Sequence, residues 1–149
     1  MIQANELRLG NHINYEQTRH IIVAIDNGFC RSRWWKQREA EADYVHSLKE
    51  CLPIYLTSEI LQNFGFTQLP HFTVNDAWRI DLGRKRILTV SCVGTPNEMV
   101  FISEEEPPKV TDVVVLRNYD YDGYTSVHDL QNIYASITKK ELVYDPSKA

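Results

Sequence analysis

Apolar and polar residues alternate along much of this chain, and in two places the apolar residues recur at helical spacing instead. Leu7 and Leu9, then Ile13 and Tyr15, alternate on either side of a Gly10-Asn11 turn. Residues 20–25 are rich in β-branched side chains and close on Asp26-Asn27-Gly28, a strong turn sequence, while Glu16-Gln17-Thr18 interrupts the two runs. A small β unit is therefore predicted over residues 1–30. Downstream, Trp78, Ile80 and Leu82 alternate with Arg79 and Asp81, Gly83-Arg84-Lys85 reads as a hairpin loop, and Leu88, Val90 and Cys92 alternate with Thr89 and Ser91. This last pattern makes Cys92 a buried strand thiol. Residues 99–102 and 113–116 are two further short apolar runs. The stretch 104–108, three glutamates and two prolines, is a solvated loop between them.

The helical signals are local. After Pro53, Thr57 or Ser58 can cap a short helix whose buried face is Ile60, Leu61 and Phe64, with Glu59 in the first turn and Gly65 as the left-handed residue past its end. Ser126 with Asp129 three residues on is a capping-box variant, and Val127, Leu130, Ile133, Tyr134 and Ile137 share one face of the helix that follows. Residues 142–144 suggest a short terminal strand and 146–149 a loose end. Residues 31–50 fit neither period and read as an excursion or a frayed helix. The expected fold is one α+β domain over 1–149: a small N-terminal β unit, a short central helix, and a mostly antiparallel sheet packed by a C-terminal amphipathic helix.

Composition narrows the function classes. The 149 residues are 43% hydrophobic and 24% charged, as in an ordinary globular domain. Sixteen Lys+Arg against twenty Asp+Glu give a net charge of −4, which excludes a strongly basic nucleic-acid coat. No apolar run is long enough to span a bilayer, and the first residues carry neither the basic region nor the apolar segment of a secretory signal, so a cytoplasmic location is expected. Cys30, Cys51 and Cys92 are widely spaced with no Cys-x-x-Cys, and are expected to be reduced thiols.

Three segments, taken in order, resemble a known family. They are Glu6-Leu7-Arg8-Leu9-Gly10-Asn11, then Pro53-Ile54-Tyr55-Leu56-Thr57-Ser58-Glu59-Ile60-Leu61-Gln62-Asn63-Phe64-Gly65-Phe66, then Val127-His128-Asp129-Leu130-Gln131-Asn132-Ile133-Tyr134. They are similar to the "ELRIGN", "PLTEEWLLKFGF" and "VHQLQNLYFALTGEEL" stretches of a family of small proteins from Bacteroidetes genomes, phages and prophages. Ile60 stands where that family usually has Trp, and Lys139 where Gly is common, which puts the helix ending in question. The resemblance implies a phage or mobile-element setting. No activity is established for the family, so it supplies no catalytic residues, and each shared segment also has a purely fold-forming explanation.

Several constellations invite chemistry. Arg31, Arg33, Lys36 and Arg38 surround Trp34 and Trp35, and Arg84, Lys85 and Arg86 sit at a hairpin tip. Guanidinium groups neutralise phosphate and indoles stack on bases, so these residues are the candidate nucleic-acid contacts. The acidic residues that follow, Glu39, Glu41 and Asp43, oppose that reading. Asn118-x-Asp120-x-Asp122-Gly123 invites a calcium loop, but its first ligand is Asn, its twelfth position is Asp129, and the helix cap claims Asp129. A metal-dependent hydrolase using Asp120 and Asp122 ranks last. His12, His20, His46, His71 and His128 show no ligand spacing, and His128 reads as a solvent-facing residue at a helix start. There is no phosphate-cradling loop, no nucleophile elbow and no Asp/Glu-x-Lys pattern. The expectation is a non-enzymatic binding or accessory protein, without cofactor, acting through protein–protein contacts or as a homo-oligomer. Exposed Trp34, Trp35 or the tyrosines Tyr119, Tyr121 and Tyr124 would serve it. Nucleic-acid binding through 31–38 is the alternative.

Overall fold

The computed structural model describes Ile2 and residues 6–36, 42–69, 77–104 and 113–148. Arg38, Glu39, Glu41, His71 and the 105–108 part of the acidic loop lie outside the described residues. In chain order the elements are β1 (His12–Tyr15), β2 (Thr18–Asp26), β3 (Phe29–Trp34), β4 (Tyr44–Ser47), α1 (Ser58–Asn63), β5 (Thr67–Gln68), β6 (Ala77–Gly83), β7 (Arg86–Ser91), β8 (Met99–Ser103), β9 (Val114–Asn118), α2 (Tyr119–Asp122) and α3 (Val127–Thr138). The fold is α+β, with two antiparallel sheets and one main helix near the C-terminus. Two compact units are present: Met1–Ile54 with Ser126–Ser136, and Tyr55–Thr125 with Ile137–Ala149. Among the described residues no helix is long and apolar enough to cross a membrane.

The first unit holds the sheet β1-β2-β3-β4. Two-residue loops join its first three strands. Asn27-Gly28 supplies the positive φ angles that such a hairpin needs, and Glu16-Gln17 adopts them without glycine, at 46° and 64°. Leu7 and Leu9 are not part of a strand: Leu7 is buried and Leu9 exposed, at a turn closed by Gly10. The core gathers Ile2, Leu7, Ile13, Ile22, Cys30, Leu48 and Cys51. Helix α3 packs on this sheet through two amides. The Gln131 side chain accepts from the His12 N–H at 2.9 Å and donates to the Gly10 carbonyl at 3.1 Å, and Asn132 donates to the Glu6 carbonyl at 2.7 Å. The first of these satisfies the N–H of buried His12, which would otherwise be orphaned.

The described residues of 31–50 are neither an excursion nor a frayed helix. The first of them complete β3, and Tyr44–Ser47 returns as β4, with Cys30 opposite His46 and Ser32 opposite Tyr44. The alternation was hidden because the buried positions of this hairpin are Cys30, Ser32 and His46 rather than large apolar residues.

In the second unit the five strands run in the order β5-β6-β7-β8-β9. Thr57 caps α1 by accepting from the Ile60 N–H. The helix closes with a paired C-terminal motif: the Phe66 N–H bonds the Leu61 carbonyl and the Gly65 N–H bonds the Gln62 carbonyl, with Gly65 at φ 86°. The Arg84-Lys85 loop forms as expected. Cys92 is buried but lies past the end of β7, in a left-handed conformation at φ 54°, so it is not a strand thiol. The buried Glu98 carboxylate accepts from the Thr125 N–H at 2.6 Å and the Gly94 N–H at 2.9 Å, tying the β7–β8 loop to the segment that leads into α3. Residues 142–144 form no strand. Leu142 is buried and the Tyr144 hydroxyl accepts from Asn63 at 2.9 Å.

Ser126 and Asp129 form the reciprocal cap expected for α3: each side chain accepts from the other residue's N–H. His128 does not face solvent. It is buried, with its ring on the Ser126 hydroxyl at 2.8 Å, because the cap hydroxyl supplies a partner for the imidazole at the helix start. Lys139 takes over the glycine-like position after α3 at φ 59°, so the helix ends as it would with glycine but under strain. Lys139→Gly is therefore expected to raise stability by roughly 0.5–1 kcal/mol, and Gly65→Ala to lower it by roughly 1–2 kcal/mol. Urea midpoints at an unchanged slope would show the two shifts in opposite directions.

Candidate functional site

The period of a strand sorts the residues of β3 onto two faces. Arg31 and Arg33 lie on one face, and Cys30, Ser32 and Trp34 on the other. The basic-aromatic segment is thus divided by its own backbone. On the outer face, Asp43 binds both arginines, at 2.8 Å from Arg33 and 3.5 Å from Arg31, and the Arg33 guanidinium holds the Asp43 carboxyl below its ordinary range. Trp34 is 40% exposed at the end of the strand. Trp35 follows, with the Arg19 guanidinium 5.4 Å and the Lys36 ammonium 4.9 Å from its ring centre. Arg84, Lys85 and Arg86 belong to the second unit, the first two exposed at the hairpin tip.

The calcium-like stretch is a set of caps. The Asn118 side chain accepts from the Asp120 N–H, and Asp122 accepts from the Asn118 N–H, closing the single turn of α2. Nearby, the Tyr119 and Tyr124 rings pack on each other at 4.7 Å.

The inner face of the first sheet carries a constellation that linear spacing does not reveal. Cys30 on β3, His46 on β4 and Cys51 beyond it converge, all buried. The two sulfurs are 3.4 Å apart, and His46 Nδ1 lies 3.5 Å from Cys30 Sγ and 3.8 Å from Cys51 Sγ. Behind His46, its Nε2 meets the Ser32 hydroxyl at 2.7 Å; that hydroxyl is 3.0 Å from His20 Nδ1; His20 Nε2 is 2.9 Å from the Thr18 hydroxyl. Tyr15 stacks on His46 with centroids 3.9 Å apart, and Tyr44 stands edge-on to His20 at 5.1 Å.

The proton positions in this chain follow from its last member. The Thr18 hydroxyl donates to the Tyr15 carbonyl at 2.9 Å, because a carbonyl only accepts. Thr18 Oγ1 must then accept from His20 Nε2–H, and His20 Nδ1 accepts from Ser32. The Ser32 oxygen in turn accepts from His46 Nε2–H, which leaves the lone pair on His46 Nδ1, the ring nitrogen nearer Cys30 Sγ at 3.5 Å against 3.7 Å for Nε2. The Cys30 S–H completes the chain on Nδ1 and the Cys51 S–H on the Cys30 sulfur. That last bond lowers the Cys30 thiol pKa against the opposing effect of burial, while the same bond and burial raise that of Cys51.

Comparison with protein-family models, curated proteins and solved structures finds nothing that matches this chain.

Burial of the sheet's histidines makes stability pH-dependent. Burial, helped by the Arg19 charge, lowers the His12 pKa from 6.5 to about 4, and burial also lowers that of His20, helped by His46. The folded values lie below the unfolded ones, so between them the unfolded chain binds more protons. Their contribution is present above about pH 6.5 and is lost as pH falls toward 4, with about 3 kcal/mol from His12 alone. Urea unfolding at pH 7, 6, 5 and 4 should show that decline, and a flat profile would contradict the burial of neutral imidazoles.

Proposed function

We propose that this is a non-enzymatic binding protein that acts through protein–protein contacts, beginning with a second copy of its own chain paired along β4. The observation that supports this reading is the edge of the first sheet. β4 is the outermost strand of that sheet, and none of Tyr44, Val45, His46 and Ser47 is an edge-protecting lysine or proline. Leu48 N–H bonds the Gly28 carbonyl, so by antiparallel alternation Cys30–His46 and Ser32–Tyr44 exchange bonds while Val45 and Ser47 turn their backbone groups outward. Glu50 takes the Ser47 N–H at 2.8 Å. Val45 presents its N–H and carbonyl at the edge, with its side chain 72% exposed beside Phe29 at 57%. A shallow groove of about 310 Å³, lined in part by Ala24, Phe29, Arg31 and Val45, continues the apolar surface. Two copies related by a two-fold axis could pair Val45 with Val45, exchanging two backbone hydrogen bonds and covering both apolar patches.

Such a surface suits a cytoplasmic accessory protein of a phage or prophage, the setting that the sequence resemblance implies. Nucleic-acid binding through 31–38 has less support, since the outer arginines share Asp43 and Trp34 faces the other way.

Sedimentation equilibrium tests the reading. The native chain should dimerise with concentration, and Val45→Lys should weaken the dimer at least about tenfold by placing like charges at the two-fold axis. A chain that stays monomeric to its solubility limit would overturn the self-pairing. If the monomer instead binds labelled nucleic acid with a steep salt dependence, the alternative takes its place.

A further inference from the structure

We propose that Cys30, His46 and Cys51 form a binding site for a thiophilic divalent metal ion, with Zn(II) the ion whose charge and geometry fit. Two sulfurs and one imidazole nitrogen are soft to borderline donors, the kind that selects zinc or cuprous copper over magnesium or calcium. Their spacing comes next. Bonds of about 2.3 Å to sulfur and about 2.0–2.1 Å to nitrogen at tetrahedral angles put S···S at about 3.8 Å and S···N at about 3.6 Å. Here S···S is 3.4 Å and the two S···Nδ1 distances are 3.5 and 3.8 Å. Opening the sulfur pair by a few tenths of an ångström, with a turn of the imidazole that moves Nε2 away from its 3.7 Å approach to Cys30 Sγ, makes the three atoms one face of a zinc tetrahedron.

Two further features separate a ligand set from three residues that happen to meet. The first is the tautomer. The chain from Thr18 through His20 and Ser32 fixes the proton of His46 on Nε2, so Nδ1 already offers the lone pair a metal needs. Metal-binding imidazoles are held in this way by a partner on the opposite ring nitrogen. The second is charge. The site is buried, where an uncompensated charge is costly. Two thiolates and a neutral imidazole balance Zn(II) to zero, whereas Cu(I) would leave one negative charge. Binding therefore takes one Zn(II) and releases two protons, those of the Cys30 and Cys51 thiols.

The test uses the full chain, reduced with a phosphine, against Zn(II) in competition with a chromophoric chelator, and against Co(II) as a spectroscopic probe. One equivalent should bind, with two protons released in weakly buffered solution, sulfur-to-cobalt charge-transfer bands in the Co(II) form, and a rise in the melting temperature with free Zn(II). Cys30→Ser and Cys51→Ser should each abolish the charge-transfer signature of a two-sulfur site. Because those variants also alter the core, Ser32→Ala is the second arm: it leaves all three ligands in place and should weaken Zn(II) about 10–100-fold. Cys92→Ser, in the other unit, should leave stoichiometry and affinity unchanged. No uptake by the fully reduced chain would overturn the proposal. So would uptake that survives in both Cys30→Ser and Cys51→Ser, or that is lost with Cys92→Ser.

Discussion

A threonine hydroxyl that can donate in only one direction orders the interior of the first sheet. Thr18 gives its proton to the Tyr15 carbonyl, and every donor behind it is thereby committed: His20, Ser32, His46, and finally the two thiols. Six hydrogen bonds run the same way along the chain. Bonds aligned in this manner polarise one another and are stronger in a low-dielectric interior than each would be alone. The arrangement explains how a sheet core tolerates two buried histidines and a buried serine. Each polar atom in the relay has a partner of the right kind, and Tyr15 and Tyr44 cover the imidazoles with ring contacts.

The same strands divide this interior from a different exterior. Alternation along β3 sends Cys30 and Ser32 inward and Arg31 and Arg33 outward, where Asp43 binds them. Alternation along β4 sends His46 inward and leaves Val45 at the edge. One hairpin thus carries both candidate activities of the first unit, a soft-donor site on its covered face and a pairing edge on its exposed one. The two need not depend on each other, because the ligands approach through side chains and the edge pairs through backbone.

Much of the fold was legible where the signal is local. Thr57, Gly65, Ser126 and Asp129 cap helices through contacts within a few residues, and these are read directly from sequence. The β6–β7 hairpin was legible from its apolar alternation. Residues 31–47 were not, because a core built of Cys, Ser and His gives no hydrophobic period. The turns at Glu16-Gln17 and at Lys139 were hidden for another reason: the pairing of β1 with β2 and the ending of α3 place ordinary, exposed residues at positive φ there, where local chemistry would ask for glycine or asparagine. The soft-donor cluster could not be read from spacing, since Cys30 and His46 meet through strand register and Cys51 arrives from beyond β4. The one available hint was that Cys30 and His46 each occupy the inward position of a short polar strand.

The direction of the relay is open to nitrogen-detected NMR of the histidine side chains in reduced, metal-free protein at neutral pH. Both His20 and His46 should show their proton on Nε2, with Nδ1 at the shift of an unprotonated acceptor. A proton on Nδ1 of His46 would contradict that direction, because the chain would then run the other way and the thiols would face a donor rather than a lone pair.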